Sequence, residues 1–218
     1  MTELLVKALL SYLLGSIVGS LLVGRLRGGV DIRRLGSGNA GATNALRTQS
    51  KLFAFWVLLI DLGKGWIATR LLAGARVPGM TPPAAHLSMW AVAICGVAVM
   101  LGHIYPLWHG FRGGKGVATL VGAVLGASPA LLIPMLVVWL LAVILFGFVG
   151  LASILGAVAF VVAAASSGVA PRLPLLIFAA LSAILIAFTH RANLARMLAG
   201  TEPRARRLWL LGAARSRS

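Results

Sequence analysis

Acidic residues are nearly absent from this chain: Glu3, Asp31, Asp61 and Glu202 are the only four, against 20 lysines and arginines in 218 residues. No two of them are spaced as a catalytic pair, and none stands in a Ser/His/Asp order. Paired-carboxylate hydrolysis, a zinc centre and an aspartate-bound magnesium site therefore all lack ligands. Cysteine is as scarce. The single Cys95 lies inside an apolar run, where it reads as packing rather than as a disulfide or thiolate metal ligand. Chemistry here must use cations, hydroxyls, amides and backbone N–H groups, which suit phosphate binding and the steadying of negative charge on an acyl oxygen. No metal and no cofactor is expected.

Charge of either sign is low, at 11% of residues, while 60% are hydrophobic. Mean hydropathy is +0.97, and the apolar share exceeds the roughly 45–50% of a soluble domain. The composition is that of an integral membrane protein. A net charge of +16 would suggest nucleic acid in a soluble chain, but the cations here sit in short loops between apolar runs. The lipid bilayer and anionic substrates are the expected partners, and nucleic acid is not.

A membrane helix needs about 20 apolar residues, and open strands cannot cross because their backbone groups would go unpaired. The runs place seven helices, near Leu4–Gly24, Leu52–Leu72, Ala85–Ile104, Val117–Ala127, Pro129–Phe148, Leu151–Ser167 and Leu173–Thr189. The expectation is an all-α protein with seven transmembrane helices. The fourth run is too short to cross unaided and is expected to line a cavity inside the protein. The first follows Glu3 without a small-residue cleavage site and reads as retained. Fifteen Lys and Arg, from Arg25 to Arg217, fall in loops on one side, and only Arg76 and Arg172 on the other. Basic loops stay cytoplasmic, so the N-terminus is expected outside and the C-terminus in the cytoplasm. Residues 1–200 read as one membrane domain and 201–218 as a basic cytoplasmic tail, held on anionic lipid or serving topology alone.

Three loop segments on the expected cytoplasmic side carry the polar groups. In the first, Leu35 to Arg47, the side chains of Ser37, Asn39, Thr43, Asn44 and Arg47 alternate with small residues including Gly36, Gly38 and Gly41. Neutral hydrogen-bonding groups around one guanidinium suit an anion or polyol, although turns and helix caps have similar composition. The second holds Gly113, Gly114, Lys115 and Gly116 after Arg112. Glycines let backbone N–H groups crowd onto a ligand, and the composition suits phosphate or acyl phosphate; a tight turn between helices is the plainer alternative. It is not a nucleotide-binding Walker A loop, because Gly110 is one residue too close and Gly116 fills the hydroxyl position. In the third, His190 and Asn193 share a helix face beside Arg191 and Arg196, where His190 is either functional or a helix cap. His103 is expected to hold the glycine loop or to act as a base. Asp61 and Lys64 are one turn apart inside the second helix, where they either support the site from behind or mark an ion pathway.

Taken together the three segments resemble the motifs of the bacterial PlsY family, the acyl-phosphate:glycerol-3-phosphate acyltransferases. The matching residues are Gly36 to Asn44 with Arg47, Gly102–His103 through Gly113 to Thr119, and His190 to Asn193 with Gly200 to Glu202. The resemblance implies seven membrane helices, an external N-terminus and a cytoplasmic active site. It also implies an enzyme that moves an acyl group from acyl phosphate to the 1-hydroxyl of glycerol 3-phosphate, giving lysophosphatidic acid and phosphate. Catalytic roles would fall on Arg47, Lys115 and His190, and substrate binding on Ser37, Gly38, Asn39, Thr43, Asn44, Gly113, Gly114, Ser153 and Asn193. Glycerol 3-phosphate and acyl phosphate are then the substrates, and contact with the enzyme that makes acyl phosphate is expected. One stretch departs from the pattern. Where the family is similar to Thr-Arg-Tyr-Val-Ser-Leu-x-Ser, this chain has Gly147, Phe148 and Gly150 in place of the Arg, the Tyr and the first Ser. Their contribution must be absent or supplied from elsewhere. The rival reading is a transporter or channel for a small phosphate-bearing anion, which the near-apolar outer loops disfavour.

Overall fold

A computed structural model describes residues 1–205 and Trp209. The regular elements among them are all helical, and the chain divides into two compact units, Met1–Pro129 and one beginning at Ala130.

In the first unit the opening apolar run is not the continuous helix expected from Leu4 to Gly24. It breaks into α1 (Thr2–Gly15) and α2 (Gly19–Leu26), bent by 46°. A break leaves orphan carbonyls at the end of α1 and orphan N–H groups at the start of α2, with opposite partial charges. Both are answered by α4 (Lys51–Trp66), whose N-terminus is capped by the Ser50 hydroxyl accepting from the Phe53 N–H at 3.1 Å. Lys64 Nζ donates to the carbonyls of Gly15 at 2.9 Å and Ile17 at 2.8 Å, while Asp61 Oδ1 accepts from the Gly19 N–H at 3.0 Å. The two side chains pair at 3.0 Å and are almost fully buried. A cation and an anion one turn apart thus splice a broken helix.

The chain continues from α4 through a wide helical turn over Ile67–Leu72. It then enters α5 (Ala85–Ser88) and α6 (Ala91–Ile104). A side chain on Gly15 would strike the Val99 carbonyl, and one on Gly102 the Tyr12 carbonyl, so α1 and α6 cross at backbone contact. Between α2 and α4 lies α3 (Ala42–Thr48). The short run is α7 (Val117–Ala127), eleven residues long and therefore about 16 Å, roughly half the hydrocarbon thickness. It is seated on α4, where Gly65 abuts the Thr119 carbonyl and Gly122 abuts the Leu62 carbonyl.

The second unit contains α8 (Pro129–Phe146), α9 (Val149–Ser166), α10 (Arg172–Thr189) and α11 (Arg191–Leu198). Phe160 and Phe178 meet edge to face at 5.5 Å between α9 and α10. Helix α8 is apolar throughout yet only 22% buried, so its side chains make a surface of the kind that lipid covers.

All seven apolar runs are helical, but five helical segments are long and apolar enough to cross a membrane, or six with the bent α1–α2 pair counted as one. The expected count of seven needs the short α7 as well. In the tail, Arg206, Arg207, Leu208, Leu210 and everything after them lie outside the described residues.

Candidate active site

The first polar loop is built on one buried amide. Asn44 Oδ1 accepts from the Ser37 N–H at 3.0 Å, and its Nδ2 lies 3.0 Å from each of the carbonyls of Ile32, Leu35 and Asn39. The side chain is 1% exposed. Asn44 thus folds the loop rather than offering its amide outward, and the substrate contact expected of it becomes a framing role. Gly36 must be glycine here: its φ is +58° and a Cβ would press on the Asn44 amide. The frame leaves Ser37, Gly38, Thr43 and Arg47 exposed and Asn39 half-buried.

The glycine loop is tied down in a different way from that expected. The N–H groups of Gly113 and Gly114 donate to the carbonyls of Ile104 and His103, each at 3.1 Å. These two amides close the end of α6 and do not point at a ligand. Neither position tolerates a side chain, which on Gly113 would meet the His103 carbonyl and on Gly114 the His103 ring. His103 is therefore the floor of the loop. Its Nδ1 lies 2.8 Å from Lys64 Nζ and 3.3 Å from Asp61 Oδ1, so the loop rests on the same ion pair that splices α1 to α2. Lys115, half-buried, follows directly, and Gly116 at φ +86° starts α7.

A side chain that sequence reasoning counted only as loop charge joins the two loops. Arg33 is held by Asp31 through Nε and Nη2, at 3.0 and 2.8 Å, and Nη1 reaches the carbonyls of His109 at 3.1 Å and Arg112 at 2.9 Å. The hydrogen bond from Arg33 keeps the Asp31 carboxyl below the ordinary carboxylate range, and the same contact raises the guanidinium. A lone acid two residues from an arginine, in a loop otherwise free of acids, was the available signal. Replacing Arg33 with Ala is expected to lower kcat/KM by about tenfold to a hundredfold through loss of the two charge-assisted tethers, read by steady-state kinetics. Because the folded-state pKa of Asp31 is depressed, its contribution is present above about pH 4 and fades as the pH falls through the lower folded value.

In the second unit His190 ends α10 and precedes α11, and it is 4% exposed. Its Nδ1 lies 2.8 Å from the Ile186 carbonyl. A carbonyl only accepts, so Nδ1 carries a proton and, in the neutral ring, Nε2 is the acceptor. Asn193 donates to Glu202 Oε1 at 2.6 Å, and Glu202 Oε2 takes the Arg196 Nε at 2.7 Å. The lone acid of this unit thus orients Asn193. Ser153 on α9 donates to the Val149 carbonyl at 2.8 Å and accepts from Trp139 Nε1 at 3.4 Å. Gly150 is glycine because Asn193 packs on it. Among the described residues no cluster of three or more His, Cys, Asp or Glu could hold a metal ion.

Comparison with known proteins agrees along the whole of this frame. A family model described as glycerol-3-phosphate acyltransferase matches residues 5–200. A glycerol-3-phosphate acyltransferase of Mesorhizobium japonicum is 42% identical over 203 residues, 93% of this chain and 96% of that protein. The one from Chlorobaculum tepidum is 37% identical over 217 residues, 89% and 93% of the two chains. Two crystal structures of PlsY, an integral membrane glycerol 3-phosphate acyltransferase, superpose closely. The glycerol 3-phosphate form gives a TM-score of 0.80 at 34% identity, and the lysophosphatidic acid form 0.79 at 33%. Each covers 92% of this chain and 94% of the other.

Proposed function

The chain belongs to the glycerol-3-phosphate acyltransferase family, and from that premise we propose that it acylates the 1-hydroxyl of glycerol 3-phosphate with acyl phosphate as donor. The products are lysophosphatidic acid and inorganic phosphate, the first step of phospholipid synthesis. The observation that carries this reading is the frame of two loops, with Arg47 exposed on one and Lys115 half-buried on the other, in which the two carboxylates, Asp31 and Asp61, are each paired with a cation. In the reaction the hydroxyl oxygen bonds to the acyl carbon, the carbon–oxygen bond to phosphate breaks, and the proton ends on the leaving phosphate. The proton moves directly or by way of His190 Nε2. Arg47 and Lys115 bind phosphate oxygens and stabilise the charge that develops, helped by Ser37, Gly38, Asn39 and Thr43. Ser153 and Asn193 contribute substrate hydrogen bonds, and Gly113, Gly114 and Asn44 hold the loops in shape.

The topology proposed with it is seven crossings, the bent α1–α2 pair counted as one and α7 as the shortest, with the N-terminus outside. The charge asymmetry of the loops supports this, and it puts the three motifs on the cytoplasmic side of a bacterial inner membrane. Residues 1–200 form the acyltransferase domain, as the family match over 5–200 suggests. Docking of the acyl-phosphate-producing enzyme on the basic cytoplasmic face is part of the same proposal. Incubating purified protein with radiolabelled glycerol 3-phosphate and acyl phosphate, beside a parallel reaction with acyl-CoA, tests the function. Labelled lysophosphatidic acid from acyl phosphate alone is expected. Label crossing unmodified into sealed vesicles would instead identify an anion transporter.

A further inference from the structure

The turn between α8 and α9 holds Gly147 and Phe148, where the resemblance implies an Arg and a Tyr. The C-terminal segment lies on this turn. The Ala205 N–H donates to the Gly147 carbonyl at 2.8 Å, and the Trp209 indole N–H donates to the Leu145 carbonyl at 3.2 Å. Trp209 covers Gly147 so closely that a Cβ there would stand 2.9 Å from its Cγ. Gly147 has φ +76° as well, a conformation that glycine favours. Arg204 precedes these contacts in the chain, its guanidinium 4.7 Å from the centre of the Phe148 ring and 3.9 Å from that of Trp209.

Stacking fixes a guanidinium by its faces and leaves the N–H donors around its edge directed outward, in the fork that phosphate oxygens accept. Arg204 is not consumed by an acid. Among the described residues the neighbouring carboxylate, Glu202, has one oxygen on Asn193 and the other on Arg196, and Arg204 makes no ion pair. The exposed cation is therefore placed two residues from the glutamate that orients Asn193, over the Phe148 ring that precedes α9. Trp209 and a side chain at position 147 exclude one another sterically, so a cation at this turn can come from 147 or from the tail, but not from both.

We propose that Arg204 is a phosphate-binding cation at the head of α9, with Trp209 as its clamp. The start of the basic tail is then a working part of the active site. The inference rests on the acyl-transfer reading for its substrates, glycerol 3-phosphate or acyl phosphate, whose phosphates share the chemistry that Arg204 would recognise.

The experiment uses the full-length purified chain and two readouts, steady-state kinetics and stabilisation against heat by inorganic phosphate. Arg204→Ala is expected to raise KM for one phosphate-bearing substrate by about tenfold while kcat changes less than about threefold, and to weaken phosphate stabilisation by about tenfold. Separate titrations show which substrate depends on it. Arg204→Lys, which keeps the charge and loses the planar stack, should fall between the two. The reciprocal test is the triple variant Arg204→Ala, Trp209→Ala, Gly147→Arg, in which the cation returns from position 147 and KM recovers to within about threefold of the parent. A folded Arg204→Ala protein with both KM values and phosphate stabilisation unchanged would overturn the proposal, as would a folded triple variant no better than Arg204→Ala with Trp209→Ala. Phosphate stabilisation is read without turnover, so failure of the acyl-transfer reading would show in the parent's kinetics and leave this inference separately decided.

Discussion

Lys115→Ala is expected to abolish acyl transfer in a protein that still folds, with kcat/KM falling by about a thousandfold or more. The cation sits on a backbone that cannot relax: Gly113 and Gly114 are bonded to the end of α6, the His103 ring fills the space beneath, and Gly116 turns directly into α7. A cation carried on so fixed a backbone has less freedom to lose when charge develops on the substrate, and losing one preorganised group typically costs about 10²–10³ in rate. Arg112, three residues away and exposed, provides the contrast. Its replacement by Ala should change kcat/KM by less than about threefold, since its part in the frame is the backbone carbonyl that Arg33 holds, which the substitution keeps. Steady-state kinetics on both variants, with thermal unfolding as the check on folding, separates a site residue from a loop charge.

Lys64→Ala is expected to have the largest effect on stability, about 3–5 kcal/mol, because it strands a buried carboxylate. It also removes the donor that serves Gly15 and Ile17 where the first span breaks, and takes away the partner of His103 beneath the glycine loop. The variant should fail to accumulate as folded protein, as judged by monodispersity in detergent. Asp61→Asn is the milder change, since an amide oxygen still accepts from the Gly19 N–H. It should lower the unfolding temperature and leave KM for glycerol 3-phosphate within about twofold. A folded Asp61→Asn protein that has lost substrate binding would contradict the supporting role and point to direct participation in the reaction.

These two residues show how much of the architecture could be read in advance. An i, i+3 ion pair inside an apolar run announced a partner within the protein, and its charges had to be buried together. What it paired with was hidden, because α1 and α2 carry no proline to mark their break, and the apolar run from Leu4 to Gly24 has the length of an ordinary span. Lys64 and Asp61 stabilise the interruption from across it, at Gly15, Ile17 and Gly19. Apolar length alone found α8, α9 and α10 within a few residues, since period and composition decide such helices almost unaided.

The site was legible in residue type and less so in role. Arg47 and Lys115 stood out as cations among small residues, and the structure leaves Arg47 exposed and Lys115 half-buried. Asn44, Gly113 and Gly114 look the same in sequence as ligand-binding residues, yet their hydrogen bonds close the loops on themselves. A framing amide and a binding amide differ only in what lies opposite, and spacing along the chain does not contain that. Arg33 and Arg204 were counted as topological charge for the same reason. Their work depends on carbonyls at His109 and Arg112, and on rings at Phe148 and Trp209, far away in sequence.

The central claim is direct acyl transfer between two phosphate-bearing substrates, and its most direct test is product stoichiometry. Purified protein is given carbon-labelled glycerol 3-phosphate and phosphorus-labelled acyl phosphate, and lysophosphatidic acid and inorganic phosphate are counted together over time. One phosphate is expected for each lysophosphatidic acid formed, with no phosphate released when glycerol 3-phosphate is omitted. Phosphate release without the lipid product would contradict it, showing a hydrolase whose loops bind phosphate for another reaction.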